Sequence, residues 1–348
     1  MTFSVRRHRI TLKEHLRMKN ILVTGANGFV GSHLLDLLVK TEPCAGIFAL
    51  KRLNANMRNV EHLPDGAVTW LDGDLCDPRS MQQVVSESFP DEIYHLGALS
   101  WVTPSWKMPS AYMQTNAIGT IHLLDAIMGV FDGEDARYPR ILISCTPEEF
   151  GDVDPAKLPL TEDSPTHPVN PYAASKLAQD AVCQVYHASY HMPIIRTRAF
   201  NHEGPRRDKH GALASFAYQI ARIEAGLQTP IIDVGNLEAQ RSFTHVQDMV
   251  RAYQLAMEDG IPGELYLIGS DNVYTIEQCL KGLLARSQVA NIHVRTDPKR
   301  VRPTELRYLI GDCSKFRKLT GWKPEIGFGQ MILDILEYWR KRVAEDQK

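Results

Sequence analysis

The chain has no Cys-x-x-Cys pair. Its six cysteines, Cys44, Cys76, Cys145, Cys183, Cys279 and Cys313, lie scattered through 348 residues. That spacing argues against a disulfide framework or a metal site and for reduced thiols in a cytoplasm. No apolar run reaches the length needed to cross a bilayer. Neither sign of charge dominates: 39 Lys and Arg against 41 Asp and Glu give a formal net charge of −2. An overall positive field that would attract nucleic acid or an anionic membrane is therefore missing, and an acidic substrate would need a local cluster of arginines. Internal repeats and low-complexity segments are also absent. The basic opening stretch, residues 1–17, has a single acid, Glu14, and no apolar signal core, which excludes a secretory signal. It reads either as an organelle-targeting segment or, as we expect, as a flexible leader before an effective start at Met18, since MKNILVTG runs straight into a strand.

What is present is a long alternation of strands and helices. With 44% apolar residues the chain can bury one large core and a second, smaller lobe. NILVTG, GIFAL, VTWLDGDL, EIYHLGA and ILISC read as strands, while FVGSHLLDLLVK, MQQVVSESF and TNAIGTIHLLDAIMGVF carry helical spacing. This order predicts an α/β fold, a Rossmann-type doubly wound parallel sheet covered by helices on both faces. After Arg198 the loops lengthen and gain Pro, Gly and Arg, as in NHEGPRRDKHG and VRTDPKRVRPTE. The expected organisation is a Rossmann domain over 18–198 and a mainly substrate-binding lobe over 199–343, with segments returning to the first domain.

Two clusters carry chemistry. Gly25, Gly28 and Gly31 follow the first strand directly and open an amphipathic helix, the setting in which a tight turn lets backbone approach a pyrophosphate. At the end of the second strand stand Lys51 and Arg52, where an acid would bind the ribose 2′-hydroxyl of NAD. Two cations there suit the 2′-phosphate of NADP, although solvated surface charges would look the same. Asp74 is placed to meet an adenine amino group or to serve as an ordinary turn carboxylate.

The second cluster is Tyr172 and Lys176, one helical turn apart on one face, with Asn170 as cap and Pro171 in the first turn. A nearby ammonium, the positive helix end and an oxidised nicotinamide are expected to lower the phenol pKa from ~10 towards neutrality. A Tyr-x-x-x-Lys spacing occurs by chance about once in every two chains of this length, so its company decides. Thr146, after an apolar strand, offers a hydroxyl that could share a substrate oxygen with Tyr172. Asn116 could brace the backbone of its helix near the site, or be a plain polar helix residue.

TGANGFVG, LDGDL, HLGA, TNAIGT and PYAASK occur in the order seen in extended short-chain dehydrogenases/reductases, which the chain resembles from about Met18 to Val343. RAFNHEGPR, IIDVGNLEAQRSFTHVQDMVRAY and RPTELRYLIGDCSKFRKLTGWKP resemble more narrowly the GDP-sugar branch, which contains GDP-mannose 4,6-dehydratase and GDP-4-keto-6-deoxy-D-mannose reductase. The resemblance implies an NADP(H)-dependent enzyme acting on a nucleotide-diphosphate sugar, a GDP-hexose above others, and a homodimer or homotetramer that binds neither nucleic acid nor membrane. It implies that Gly25, Gly28, Gly31, Lys51, Arg52 and Asp74 hold the cofactor, with Asn27, Phe29, Val30, Leu75 and Leu96 beside them. Thr146, Tyr172 and Lys176 would form the catalytic triad. Asn201, Arg241, Arg302 and Glu305 would hold the nucleotide diphosphate, the two arginine forks near the phosphates.

Within that branch the motifs divide. GNLEAQRSFTHVQDMVRAY and the spacing to RPTE match the reductase, whereas Thr146 and HEGPRR lean towards the dehydratase. Glu148 occupies the place of the dehydratase acid–base residue, but reductases of the branch also carry a glutamate there. Pro147, Phe150 and Gly97 depart from the usual small polar residue, tyrosine and alanine, and bear on the sugar-side pocket. The reductase is the expectation, with the dehydratase and a 4-epimerase as alternatives. A dinucleotide-sensing regulatory protein would be expected to lack the tyrosine or the lysine.

Overall fold

Ile21, Leu22 and Val23 have no exposed surface, as a strand covered on both faces requires. In the computed structural model, which describes residues 18–133, 137–300 and 304–347, they form β1 (Asn20–Thr24). The expected leader and Arg302 lie outside the described residues. β2 (Gly46–Lys51), β3 (Thr69–Asp72), β4 (Glu92–His95), β5 (Arg140–Cys145), β6 (Ile194–Ala199) and β7 (Leu265–Ile268) complete a seven-stranded sheet. Its order is β7-β6-β5-β4-β1-β2-β3, and every pairing is parallel. The chain winds from β1 to β3 in one direction, then returns to β4 on the other side of β1. The reversal leaves a crevice at the carboxyl ends of β1 and β4, the place where open α/β sheets bind ligands.

Alternation along β1 sends Ile21 and Val23 to one face and Leu22 to the other. On the first face they meet Leu34, Leu35 and Leu38 of α1 (Phe29–Thr41). On the second, Leu22 joins Met81, Val84 and Val85 of α2 (Pro78–Ser88) and Leu123, Leu124 and Ile127 of α3 (Gly119–Val130). Asp77 caps α2 by accepting a hydrogen bond from the Arg79 amide at 2.9 Å. The segment expected to start α3, Met113–Ile118, is a π-helical stretch instead, which swings Asn116 inward. Asn170 caps α4 (Pro171–Tyr190) through the Ala173 amide at 2.8 Å.

The second lobe has its own core. Leu213, Phe216 and Ile220 of α5 (Ala212–Glu224) pack with Leu280 and Leu283 of α7 (Ile276–Leu284) and with Ile332, Ile335 and Leu336 of α8 (Phe328–Glu345). The division at residue 198 is crossed by the chain: α6 (Val246–Asp259) packs Met249 and Tyr253 against the α1 face, and β7 extends the first sheet.

Two buried histidines make this fold sensitive to acid. His33 donates Nε2–H to the Pro205 carbonyl at 2.9 Å, tying α1 to the second lobe. Burial, then the neighbouring Arg206, pushes its pKa down to about 4. Burial, then Lys176, pushes His95 down to about 3. Both folded values are depressed, so their contribution is complete above the unfolded value of about 6.5 and is lost as pH falls towards 4 and below. Each contributes on the order of 3 kcal/mol. Thermal unfolding should therefore move to clearly lower temperature between about pH 7 and pH 4, and equal midpoints at the two ends would contradict this.

Candidate active site

The glycine turn is built by close approach. Gly25 sits at φ +66°, and a Cβ there would come 2.8 Å from the Gly97 nitrogen after β4. At Gly31 a Cβ would lie 2.2 Å from the Gly25 oxygen and 2.7 Å from the Ala26 Cα. These contacts press the start of α1 onto the end of β1. Its N-cap, Gly28, supplies no side-chain hydrogen bond, so the first amides of α1 are left for an anionic ligand. This cradle fits a dinucleotide pyrophosphate.

The turn opens into a cleft of ≈ 1300 Å³ between sheet and second lobe, lined by Asn27, Phe29, Val30, Leu75 and Leu96 among others. That exceeds the ~300–1,000 Å³ of an ordinary single-ligand pocket and leaves room for a second reactant. Of the two expected cations, Arg52 lines the cleft, whereas Lys51 is ion-paired with Asp72 across β2 and β3 and is absent from its wall. The reason is register: Lys51 is opposite Asp72, so the pair closes before any ligand is reached. Asp74 lines the cleft and also holds its turn, accepting from the Cys76 amide at 2.9 Å.

Thr146, Glu148, Tyr172 and Lys176 all line the same cleft. Thr146 starts a short 3₁₀ turn as its cap: its Oγ1 accepts from the Glu148 amide at 3.3 Å, and its own amide donates to Glu149 Oε1 at 3.0 Å. Its hydroxyl also acts on the Tyr172 phenol, which lines the same wall. Glu148 Oε2 accepts from Asn170 Nδ2 at 2.9 Å, so the cap of the tyrosine helix also fixes this carboxylate. The expected fall of the Tyr172 pKa is reversed in the protein alone. Burial pushes the phenol above its ordinary value, the Thr146 hydrogen bond opposes this, and Glu148 and Glu149 add to it. Lys176 is 4% exposed, and burial lowers its pKa.

Asn116 braces the neighbouring loop rather than the backbone of its own helix. It accepts from the Leu99 amide at 2.8 Å and donates to the Leu99 carbonyl and to Ser175 Oγ, each at 2.9 Å. Ser175 in turn donates to the Tyr172 carbonyl at 2.7 Å.

Sequence reasoning missed Glu149. It is fully buried, accepts from Arg198 Nε at 2.7 Å and is pushed up to about 7 by burial against the opposing pull of Arg198. Its only sequence signal was a second acid in SCTPEEFG.

At the far end, Asn201, Arg241 and Glu305 line the cleft. Asn201 Oδ1 is a buried acceptor with no hydrogen-bond partner among the described residues. Arg241 is bound to backbone: it donates to the Gln240 carbonyl at 2.8 Å and to the Leu306 carbonyl at 2.6 Å, pinning the segment that carries Glu305. Five cations beyond those expected reach the wall: Arg207, Lys209, Arg295, Lys299 and Arg300. Arg207 lies between the Phe29 ring at 5.1 Å and the Trp101 ring at 5.0 Å, a sandwich spanning both lobes. Its signal was the basic character of NHEGPRRDKHG.

The family model described as GDP-mannose 4,6 dehydratase matches residues 22–335. The chain is 32% identical over 329 residues to GDP-6-deoxy-D-mannose reductase of Pseudomonas aeruginosa, covering 94% of this chain and 99% of that one. It is 31% identical over 329 residues to GDP-mannose 4,6 dehydratase 1 of Arabidopsis thaliana, covering 90% and 88%. Among solved structures, RMD from Pseudomonas aeruginosa complexed with NADPH superposes with a TM-score of 0.78 at 30% identity, covering 93% of this chain and 100% of that one. By its glycine turn, its Tyr172 and Lys176 pair and these matches, the chain belongs to the GDP-mannose 4,6-dehydratase family of extended short-chain dehydrogenases/reductases.

Proposed function

We propose that the protein reduces the 4-keto carbon of GDP-4-keto-6-deoxy-D-mannose with NADPH. The observation that carries the reading is the convergence of Thr146, Tyr172 and Lys176 on one cleft that begins at a dinucleotide cradle. The bound nucleotide would supply the hydride. Thr146 and Tyr172 together present two hydroxyls to one carbonyl oxygen, and Tyr172 passes its proton to that oxygen as negative charge develops there. Burial keeps this phenol protonated at neutral pH, which suits a proton donor. Lys176, the neighbouring cation on the same helix face, compensates the charge left on the phenolate. The similarity to the reductase of Pseudomonas aeruginosa and to its NADPH complex supports both reactants. Asn201 and the cations Lys209 and Arg300 give the far end of the cleft the donors that a nucleoside diphosphate needs.

A dehydratase is the second reading, towards which Thr146 and HEGPRR lean and with which Glu148 is compatible. Its carboxylate is fixed by Asn170 beside Thr146, where a group moving a proton at the sugar would stand. Two incubations separate the readings: the protein with GDP-mannose, and the protein with the 4-keto-6-deoxy sugar nucleotide plus NADPH. Loss of NADPH absorbance in the second tube alone is expected. Formation of a keto sugar in the first would overturn the reductase in favour of the dehydratase. The cofactor choice has its own test at Arg52. NADPH should bind more tightly than NADH, and Arg52→Ser should weaken NADPH by about tenfold while leaving NADH nearly unchanged. Equal affinities in the unmodified protein would defeat that assignment.

A further inference from the structure

Lys176 is buried beside two carboxylates that are already engaged. Glu149, from the turn after β5, gives Oε2 to Arg198 at 2.7 Å. Asp180, from α4, is held by Arg198 at 2.8 Å and by Arg196 at 2.7 Å. The thiols Cys145 and Cys183 and the His95 ring complete its titratable surroundings, with Tyr172 one turn before it. The hydrogen bonds that Lys176 makes go instead to two neutral carbonyl oxygens, that of Ser144 on β5 and Oε1 of Gln179, both at 2.5 Å.

An amide side chain can face either way, but the surrounding hydrogen bonds leave Gln179 one orientation. Thr120 Oγ1 lies 2.7 Å from the Asn116 carbonyl, which only accepts, so the hydroxyl hydrogen of Thr120 points there. The other two neighbours of that oxygen, Gln179 Nε2 and His95 Nε2, both at 2.9 Å, must then donate to it. With its NH₂ committed to Thr120, Gln179 turns its oxygen to Lys176. His95 carries its proton on Nε2, and its Nδ1 accepts from Thr24 Oγ1 at 2.8 Å. Thr24 Oγ1 in turn accepts from the Gly97 amide at 3.0 Å, which agrees with its only hydrogen lying on His95. The chain runs from the glycine turn to the ammonium, and Gln179, His95, Thr120 and Thr24 are all 1% exposed or less. Polar groups buried this deeply are costly unless fully paired, and an apolar side chain at 179 would have filled the same core space.

We propose that Gln179 is a positioning residue that holds Lys176 as an ammonium and leaves its third N–H for the cleft, its own amide being turned the required way by Thr24, His95 and Thr120. The proposal rests on the reading of Tyr172 and Lys176 as the acid–base pair. Its test uses NADPH alone, however, so it fails or stands separately from any sugar assignment.

The affinity of the protein for NADPH is measured by fluorescence titration from about pH 6 to about pH 10, spanning the range in which a buried lysine would titrate. An anionic ligand should bind less tightly once Lys176 loses its proton, and Lys176→Met should abolish that alkaline limb. Gln179→Met, close in volume and so expected to fold, removes the acceptor. Its limb should move about one to two pH units lower, the equivalent of one hydrogen bond to a charged group. Gln179→Glu restores an acceptor and should place the limb at or above the unmodified position. Thermal unfolding of each variant, run in parallel, identifies any that fails to fold, in which case Gln179→Glu against the unmodified protein carries the comparison. A Gln179→Met limb superposing on that of the unmodified protein would overturn the proposal. So would an equal downward shift in both Gln179 variants, or the lack of any limb that Lys176→Met removes.

Discussion

Tyr172→Phe should lower turnover of the 4-keto sugar by about a thousandfold, the scale of a lost general acid. The affinity for NADPH should stay within about twofold. The phenol ring packs edge-on against Tyr112 at a centroid distance of 6.3 Å, a contact phenylalanine retains. What it loses is the hydroxyl that shares the cleft wall with Thr146 and is proposed to carry the proton. The remaining Thr146 hydroxyl can still orient a carbonyl oxygen but has no cation one turn along its helix to compensate the charge it would leave. A steady-state assay following NADPH absorbance, with a separate cofactor titration, checks both halves. Unchanged turnover in this variant would remove the acid–base role from Tyr172.

The second large effect lies at the other end of the cleft. A Cβ at Gly31 meets backbone, the Gly25 oxygen at 2.2 Å and the Ala26 Cα at 2.7 Å, so no side-chain rearrangement relieves it. Gly31→Ala must push α1 off the turn and move the amides that face the pyrophosphate. A loss of NADPH affinity of about 100-fold or more is expected, corresponding to roughly 3 kcal/mol. At Gly28 the nearest atom, the Gly25 oxygen, is 3.0 Å away, so Gly28→Ala should cost severalfold less. Titrations in which the two variants bind NADPH equally would show that the turn does not hold the cofactor as its geometry implies.

Why some residues were legible beforehand follows from how far their determinants reach. Gly25, Gly28 and Gly31 act through a local turn between strand and helix, and Tyr172 and Lys176 share one helical turn, so spacing read with its neighbouring segments exposes both groups. The Lys51 ion pair was hidden because its partner, Asp72, comes from the next strand and meets it only through sheet register. The backbone bonds of Arg241 were equally hidden, since the carbonyl it holds at Leu306 lies sixty-five positions away. Arg207 was passed over because the rings that sandwich it come from the glycine turn and from the loop after β4. The Tyr172 pKa moved opposite to expectation because burial and two neighbouring glutamates outweigh what a sequence shows around it.

The order of strands, the glycine turn and the capped helix with its phenol and ammonium are written in the chain itself, since each depends on contacts within a few residues. Three-dimensional packing alone decided which cations face the cleft, which end of the Gln179 amide meets Lys176 and which nitrogen of His95 keeps its proton. Those outcomes depend on hydrogen-bond partners brought together from β1, β4, α3 and α4, and no local pattern encodes the sum of such distant constraints.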